Sequence, residues 1–129
     1  MMDPKRTKAY YEALTPDDIC QCARCRNYME QIRSSYPLVA DSLQSMGVDI
    51  EKPFETMPLE PDGDGYIQYV GPQYVVLGSA ENFRKTEIAG VCIDIAESHP
   101  PVDLSEAHFV VELYPIRLKW TMPHRRKPG

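Results

Sequence analysis

The segment Cys20-Gln21-Cys22-Ala23-Arg24-Cys25 places three thiols within six residues, the densest concentration of reactive side chains in the 129-residue chain. The spacing Cys22-x-x-Cys25 lets two thiolates reach one tetrahedral zinc ion from a single turn. A closed structural site takes four ligands. The second pair must then come from Cys20, Cys92, His99, His108 or His124. The opening residues Met1-Met2-Asp3-Pro4-Lys5-Arg6 lead into polar sequence rather than an apolar core, so no export signal is expected. Clustered cysteines in a cytoplasmic protein point away from disulfides and toward metal or redox chemistry.

Two histidines stand out as partners. His99 follows an alternating stretch at residues 87–97, and His108 opens another at 108–118. If those stretches pair as antiparallel strands, both histidines fall at one end of the hairpin. A site of Cys22, Cys25, His99 and His108 is the resulting expectation. The competing one is plain: cysteines on a helix facing a core act as small hydrophobes. A redox thiol at a helix N-terminus needs only the dipole to lower its pKa, but no βαβ context precedes the motif. Cys92 as a fourth iron–sulfur ligand is a further alternative.

Other constellations are weaker. Glu97, His99, Glu106 and His108 can form a general acid/base set, with no substrate indicated. Tyr66, Tyr69 and Tyr74 can form an exposed binding surface or a half-buried sheet face. Asp62-Gly63-Asp64-Gly65 lacks the later bidentate Glu of a calcium loop and reads as a turn. Phosphate-binding glycine loops, nucleophile elbows and HExxH are absent from the sequence.

The elements that must position these residues follow from local signals. Tyr10, Tyr11 and Leu14 share one face of a short helix over 5–14. Thr15-Pro16-Asp17-Asp18 reads as a fresh helix start, with a capping hydroxyl, a first-turn proline and acids at the positive dipole end. A second helix spans 23–34 and breaks at Pro37. Pro37 opens a third, with Leu38, Val39, Leu43 and Met46 apolar, closed by Gly47 as a left-handed cap. Five strands follow. They are 53–59, held at an edge by its prolines, 66–70, 73–78, 87–97 and 108–118, with 57–70 read as a hairpin. Helices first and strands afterward predict an α+β fold, with N-terminal helices on one face of a roughly five-stranded antiparallel meander. Residues 1–14 are set apart as an extension, 15–118 as the single domain and 119–129 as a basic tail.

Charge narrows the partners. Residues 37–118 carry four basic against fourteen acidic side chains, while 119–129 carry four basic and none acidic. So acidic a body repels phosphate backbones, which argues against nucleic acid as a partner. The tail is either an arm for an acidic partner or a solvated terminus. No apolar run reaches the ~18–20 residues of a membrane-spanning helix.

Cys22-Ala23-Arg24-Cys25-Arg26-Asn27-Tyr28, Ile32, Tyr36-Pro37, the run from Gly47 to Glu55 and Gln73-Tyr74-Val75-Val76 give a resemblance. The stretch from about Cys22 to Leu118 resembles a family of small uncharacterised bacterial proteins from Gram-positive anaerobes. The resemblance implies a bacterial, cytoplasmic setting and brings no activity, cofactor or catalytic residue.

The expectation is therefore a cytoplasmic, non-enzymatic binding or interaction domain with zinc at the Cys22-x-x-Cys25 segment, taking a protein or small-molecule partner. The alternative is a small metal- or thiol-dependent enzyme using Cys22, Cys25, His99 and His108. A homodimer through a sheet edge or the tyrosine face is a third arrangement.

Overall fold

The computed structural model describes residues 1–122; the segment 123–129, which holds most of the basic tail and His124, lies outside the described residues. Helices α1 (Pro4–Ala13), α2 (Ala23–Ser35) and α3 (Pro37–Ser45) come first, with a 3-10 turn at Pro16–Asp18. Strands β1 (Tyr66–Tyr69), β2 (Gln73–Leu77), β3 (Thr86–Ile88), β4 (Val91–Ile95), β5 (His108–Tyr114) and β6 (Ile116–Lys119) follow. The α+β class stands. The helix boundaries follow the local chemistry: α1 and α3 each begin with a proline, and Gly47 ends the α3 corner at φ +86. Pro16 starts only the 3-10 turn, closed by a reciprocal Thr15–Asp18 capping box, and the chain is extended again at Ile19. Among the apolar residues expected on the inner face of α3, Val39, Leu43 and Met46 are buried, while Leu38 stays exposed.

The single meander is replaced by two antiparallel sheets: four strands in the order β2-β5-β4-β3, and the pair β1-β6. Three local features account for the difference. Ala89 and Gly90 both take positive φ (53 and 82), so the stretch 87–97 folds back as the tight β3–β4 hairpin instead of running as one strand. Pro115 has no amide hydrogen to donate to a ladder, and the long final strand divides there. Its first half pairs with β2 and β4, and its second half pairs with β1, Tyr66 lying opposite Lys119. The expected 53–59 strand forms only isolated bridges, Glu55 with Gln73 and Pro58 with Tyr69. It is a strap rather than a strand, which its two prolines favour.

β2 is buried at every position. One face gives Tyr74 and Val76 to the main core with Tyr28, Ile32, Leu43, Ile67 and Leu118; the other gives Val75 and Leu77 to a smaller cluster with Val110. Its free edge is covered on both halves. Asp3 donates its amide to the Leu77 carbonyl (2.9 Å), and Phe54 donates to the Gln73 carbonyl (2.8 Å). An edge strand so covered offers no open ladder to another chain.

Residues 1–14 are part of this body rather than an extension. Thr7 and Tyr11 are buried; the Tyr11 hydroxyl donates to the Val75 carbonyl (2.7 Å), and the Thr7 hydroxyl receives the Leu77 amide (3.0 Å). The far end is tied in as well. Trp120 donates its amide to the Gly65 carbonyl (2.9 Å), and Thr121 donates to Asn27 Oδ1 (3.0 Å).

Candidate metal centre

Cys22 is the N-cap of α2, and its Sγ accepts the Cys25 amide at 3.4 Å. Helix starts present free amides and a positive dipole end, so this is where a thiolate is stabilised by backbone alone. Cys25 sits one turn in. With Tyr28 and Ile32 it forms the buried stripe of α2, at intervals of three and four residues. Cys20 lies in the extended link before the helix. Gln21 folds over that link, its side-chain amide reaching the carbonyls of Pro16 (3.2 Å) and Ile19 (3.3 Å). The turn thereby brings Cys20 back beside the helix start.

The sulphurs of Cys20, Cys22 and Cys25 lie within 4.8 Å of one another. Around a tetrahedral ion with Zn–S near 2.3 Å, ligand sulphurs stand about 3.8 Å apart, so closing on an ion takes a shift of roughly 1 Å. Cys20 and Cys22 face solvent, and Cys25 is buried. Two thiols at the surface and one below give an ion an entry path and a fixed inner ligand.

The sulphurs differ in acidity. Partial burial raises the Cys22 thiol, but hydrogen bonds from the Cys25 amide, the Cys20 and Cys25 thiols and the Arg24 amide outweigh it and hold it below the ordinary value. Burial pushes Cys25 up to about 12, with the Cys20 and Cys22 thiols adding to the rise and a hydrogen bond to Thr56 opposing it. A bound cation would displace the protons of these thiols.

The platform is built from distant parts of the chain. Tyr69 on β1 donates its hydroxyl to the Arg24 carbonyl (2.6 Å), and Asn27 donates to the same hydroxyl (3.2 Å). Arg24 also pairs with Glu60 (2.9 Å), linking α2 to the turn before β1. These ties seat the first turn of α2 against β1 and the strap.

The histidines do not join the thiols. His99 is exposed, its Nδ1 meets the Pro100 carbonyl (2.8 Å), and its ring lies edge-on to Phe54. His108 Nδ1 meets the Glu106 carbonyl (2.8 Å). Both flank the β4–β5 connection, as the strand pairing implies, but His108 is laddered opposite Leu77 of β2, while the thiols gather at the start of α2. The third thiol is Cys20 instead. Glu106 pairs with Arg6 at the surface. Cys92 lies on β4 across from Tyr114, outside the thiol group.

The expected tyrosine surface is also corrected. Tyr69 and Tyr74 are fully buried and hydrogen-bonded, Tyr74 to the Ile50 carbonyl (2.7 Å). Only Tyr66 is partly open, with the Arg117 guanidinium 4.1 Å above its ring. β-propensity identifies residues that suit a sheet without saying which face is covered. A contributor that spacing could not reveal is Thr56, whose hydroxyl lies 3.2 Å from the Cys25 sulphur. Among the described residues no helix is long and apolar enough to cross a membrane. No known protein family, curated protein or solved structure matches the chain, so any role must be argued from the site itself.

Proposed function

We propose that Cys20, Cys22 and Cys25 hold one thiophilic ion, zinc by their ligand chemistry, and that the chain works as a small cytoplasmic binding module built around that ion. The observation that carries this reading is the convergence of three sulphurs within 4.8 Å on one helix start. Soft thiolates select zinc over magnesium or calcium. Among the described residues the group supplies three ligands, and a tetrahedral ion takes a fourth. A donor atom from a protein or small-molecule partner supplies it. The reducing cytoplasm keeps such thiols available.

Three protein ligands and an open position are also the arrangement of catalytic zinc. That alternative called on His99 and His108 beside the thiols, and neither histidine belongs to the group of sulphurs at the start of α2. Binding is the reading that remains best supported.

Cobalt(II) titration of the reduced apoprotein tests it. One ion per chain is expected, with a thiolate-to-cobalt charge-transfer band. Each of Cys20→Ser, Cys22→Ser and Cys25→Ser should weaken binding by more than the ~10–100-fold that loss of an outer-shell partner costs. His99→Ala and His108→Ala should leave both stoichiometry and band unchanged. Affinity should fall as the pH is lowered, because protons compete for the sulphurs. Cobalt affinity and band intensity unchanged in all three variants would refute the site.

A further inference from the structure

Thr56 is 1% exposed, and its hydroxyl has one hydrogen-bond partner among the described residues, the Cys25 sulphur. Other buried hydroxyls of this chain find oxygen: Thr7 bonds the Asp3 carbonyl (2.7 Å), Tyr11 the Val75 carbonyl and Tyr74 the Ile50 carbonyl. A neutral thiol is a weak acceptor and a weak donor, so it satisfies a buried hydroxyl poorly. A thiolate is a charged acceptor and satisfies it well.

The hydroxyl is not there by slack in the chain. On one side of Thr56, Glu55 accepts the Gln73 amide (2.7 Å) and pins the strap to β2. On the other, Met57 accepts the Val70 amide (2.9 Å), and the Met57 amide donates to Glu55 Oε2 (3.2 Å). The backbone even turns left-handed at Met57, with φ 51. Such a conformation in a non-glycine residue persists where its surroundings hold it.

We infer that Thr56 is a positioning residue of the metal centre: its hydroxyl donates to the Cys25 thiolate, fixing the direction of that sulphur and moderating how much electron density it gives the ion. The inference rests on the three-thiol reading above and adds the residue that tunes it. Outer-shell donors of this kind orient ligands and govern affinity. Cys25 is the inner, buried ligand, and so the one whose geometry a neighbour can control.

The experiment is cobalt(II) titration of wild type, Thr56→Val, Thr56→Ala and Thr56→Ser under reducing conditions, with thermal melts of each apoprotein. Thr56→Val keeps the shape and removes the donor. It should lose about 10-fold or more in cobalt affinity, and its charge-transfer band should move to lower energy as the sulphur becomes more electron-rich. Thr56→Ala, which leaves a void, should show the same band shift. Thr56→Ser should restore both affinity and band. If Thr56→Val and Thr56→Ala bind cobalt as wild type does with an unmoved band, Thr56 merely fills space and the inference fails alone. If wild type takes up no cobalt, the metal reading fails and takes the inference with it.

Discussion

Raising the pH from about 9 to about 12 should unfold this protein, with the buried phenols ionising as the fold is lost rather than before. Tyr11, Tyr28 and Tyr74 are buried, and burial raises each phenol above its ordinary value near 10. Tyr28 and Tyr74 meet hydroxyl to hydroxyl (2.5 Å), a bond that opposes ionisation of Tyr74 and only partly offsets the effect of burial on Tyr28. In the unfolded chain these groups titrate near pH 10. Below that pH their contribution to stability is fully present. Above it the unfolded state has released protons that the folded state still holds, so stability falls by about 1.4 kcal/mol per pH unit for each group. Three groups give about 4 kcal/mol per unit, against a typical total of roughly 5–15 kcal/mol. Cys25, pushed up to about 12 by burial, acts in the same direction. Urea midpoints measured across this range, with phenolate absorbance and far-UV circular dichroism followed together, provide the check. Coincident transitions are expected. Phenolates that all appear near pH 10 with the helices intact would show that the tyrosines are not buried as described.

Gly47→Ala should strongly destabilise the fold. Gly47 has φ +86, and a methyl there would stand 2.2 Å from the Pro4 carbonyl oxygen and 2.9 Å from the Lys8 amide nitrogen. Both obstacles are backbone of α1, so relief requires moving the helix. Moving α1 strains the bonds of Thr7 and Tyr11 to β2. The left-handed backbone and the overpacking together should cost roughly 2–5 kcal/mol, a fall in Tm on the order of 10 °C. Gly63→Ala is the control, because nothing lies within 4 Å of its added methyl. It should melt with wild type. A Gly47→Ala protein that also melts with wild type would mean that α1 is not seated against this corner.

The helices were legible because their signals are local. Pro37 and Gly47 bracket α3, and the spacing of Tyr28 and Ile32 marks the inner face of α2. Sheet order was not, because it depends on which distant segments meet. Nothing within Tyr66–Tyr69 says that Ile116–Lys119 will lie beside it. Ala89-Gly90 lacks the Asn or Asp that usually announces a two-residue hairpin, and alternation on both sides of it reads as one strand. At the site, Cys22 and Cys25 were readable from spacing. Cys20 was one candidate among several, since its place depends on how the link folds over Gln21. His99 and His108 do flank one connection, but that connection serves β5 and not the start of α2. Thr56 carries no sequence signal because its role is set by the strap that pins it.

The most direct test of the account is elemental analysis of protein purified without chelators or an affinity tag, paired with thiol alkylation before and after a chelator is added. About one zinc per chain is the predicted result, with Cys20, Cys22 and Cys25 protected until the metal is removed. No bound metal, with Cys20 and Cys22 alkylating at the same rate whether or not chelator is present, would contradict it.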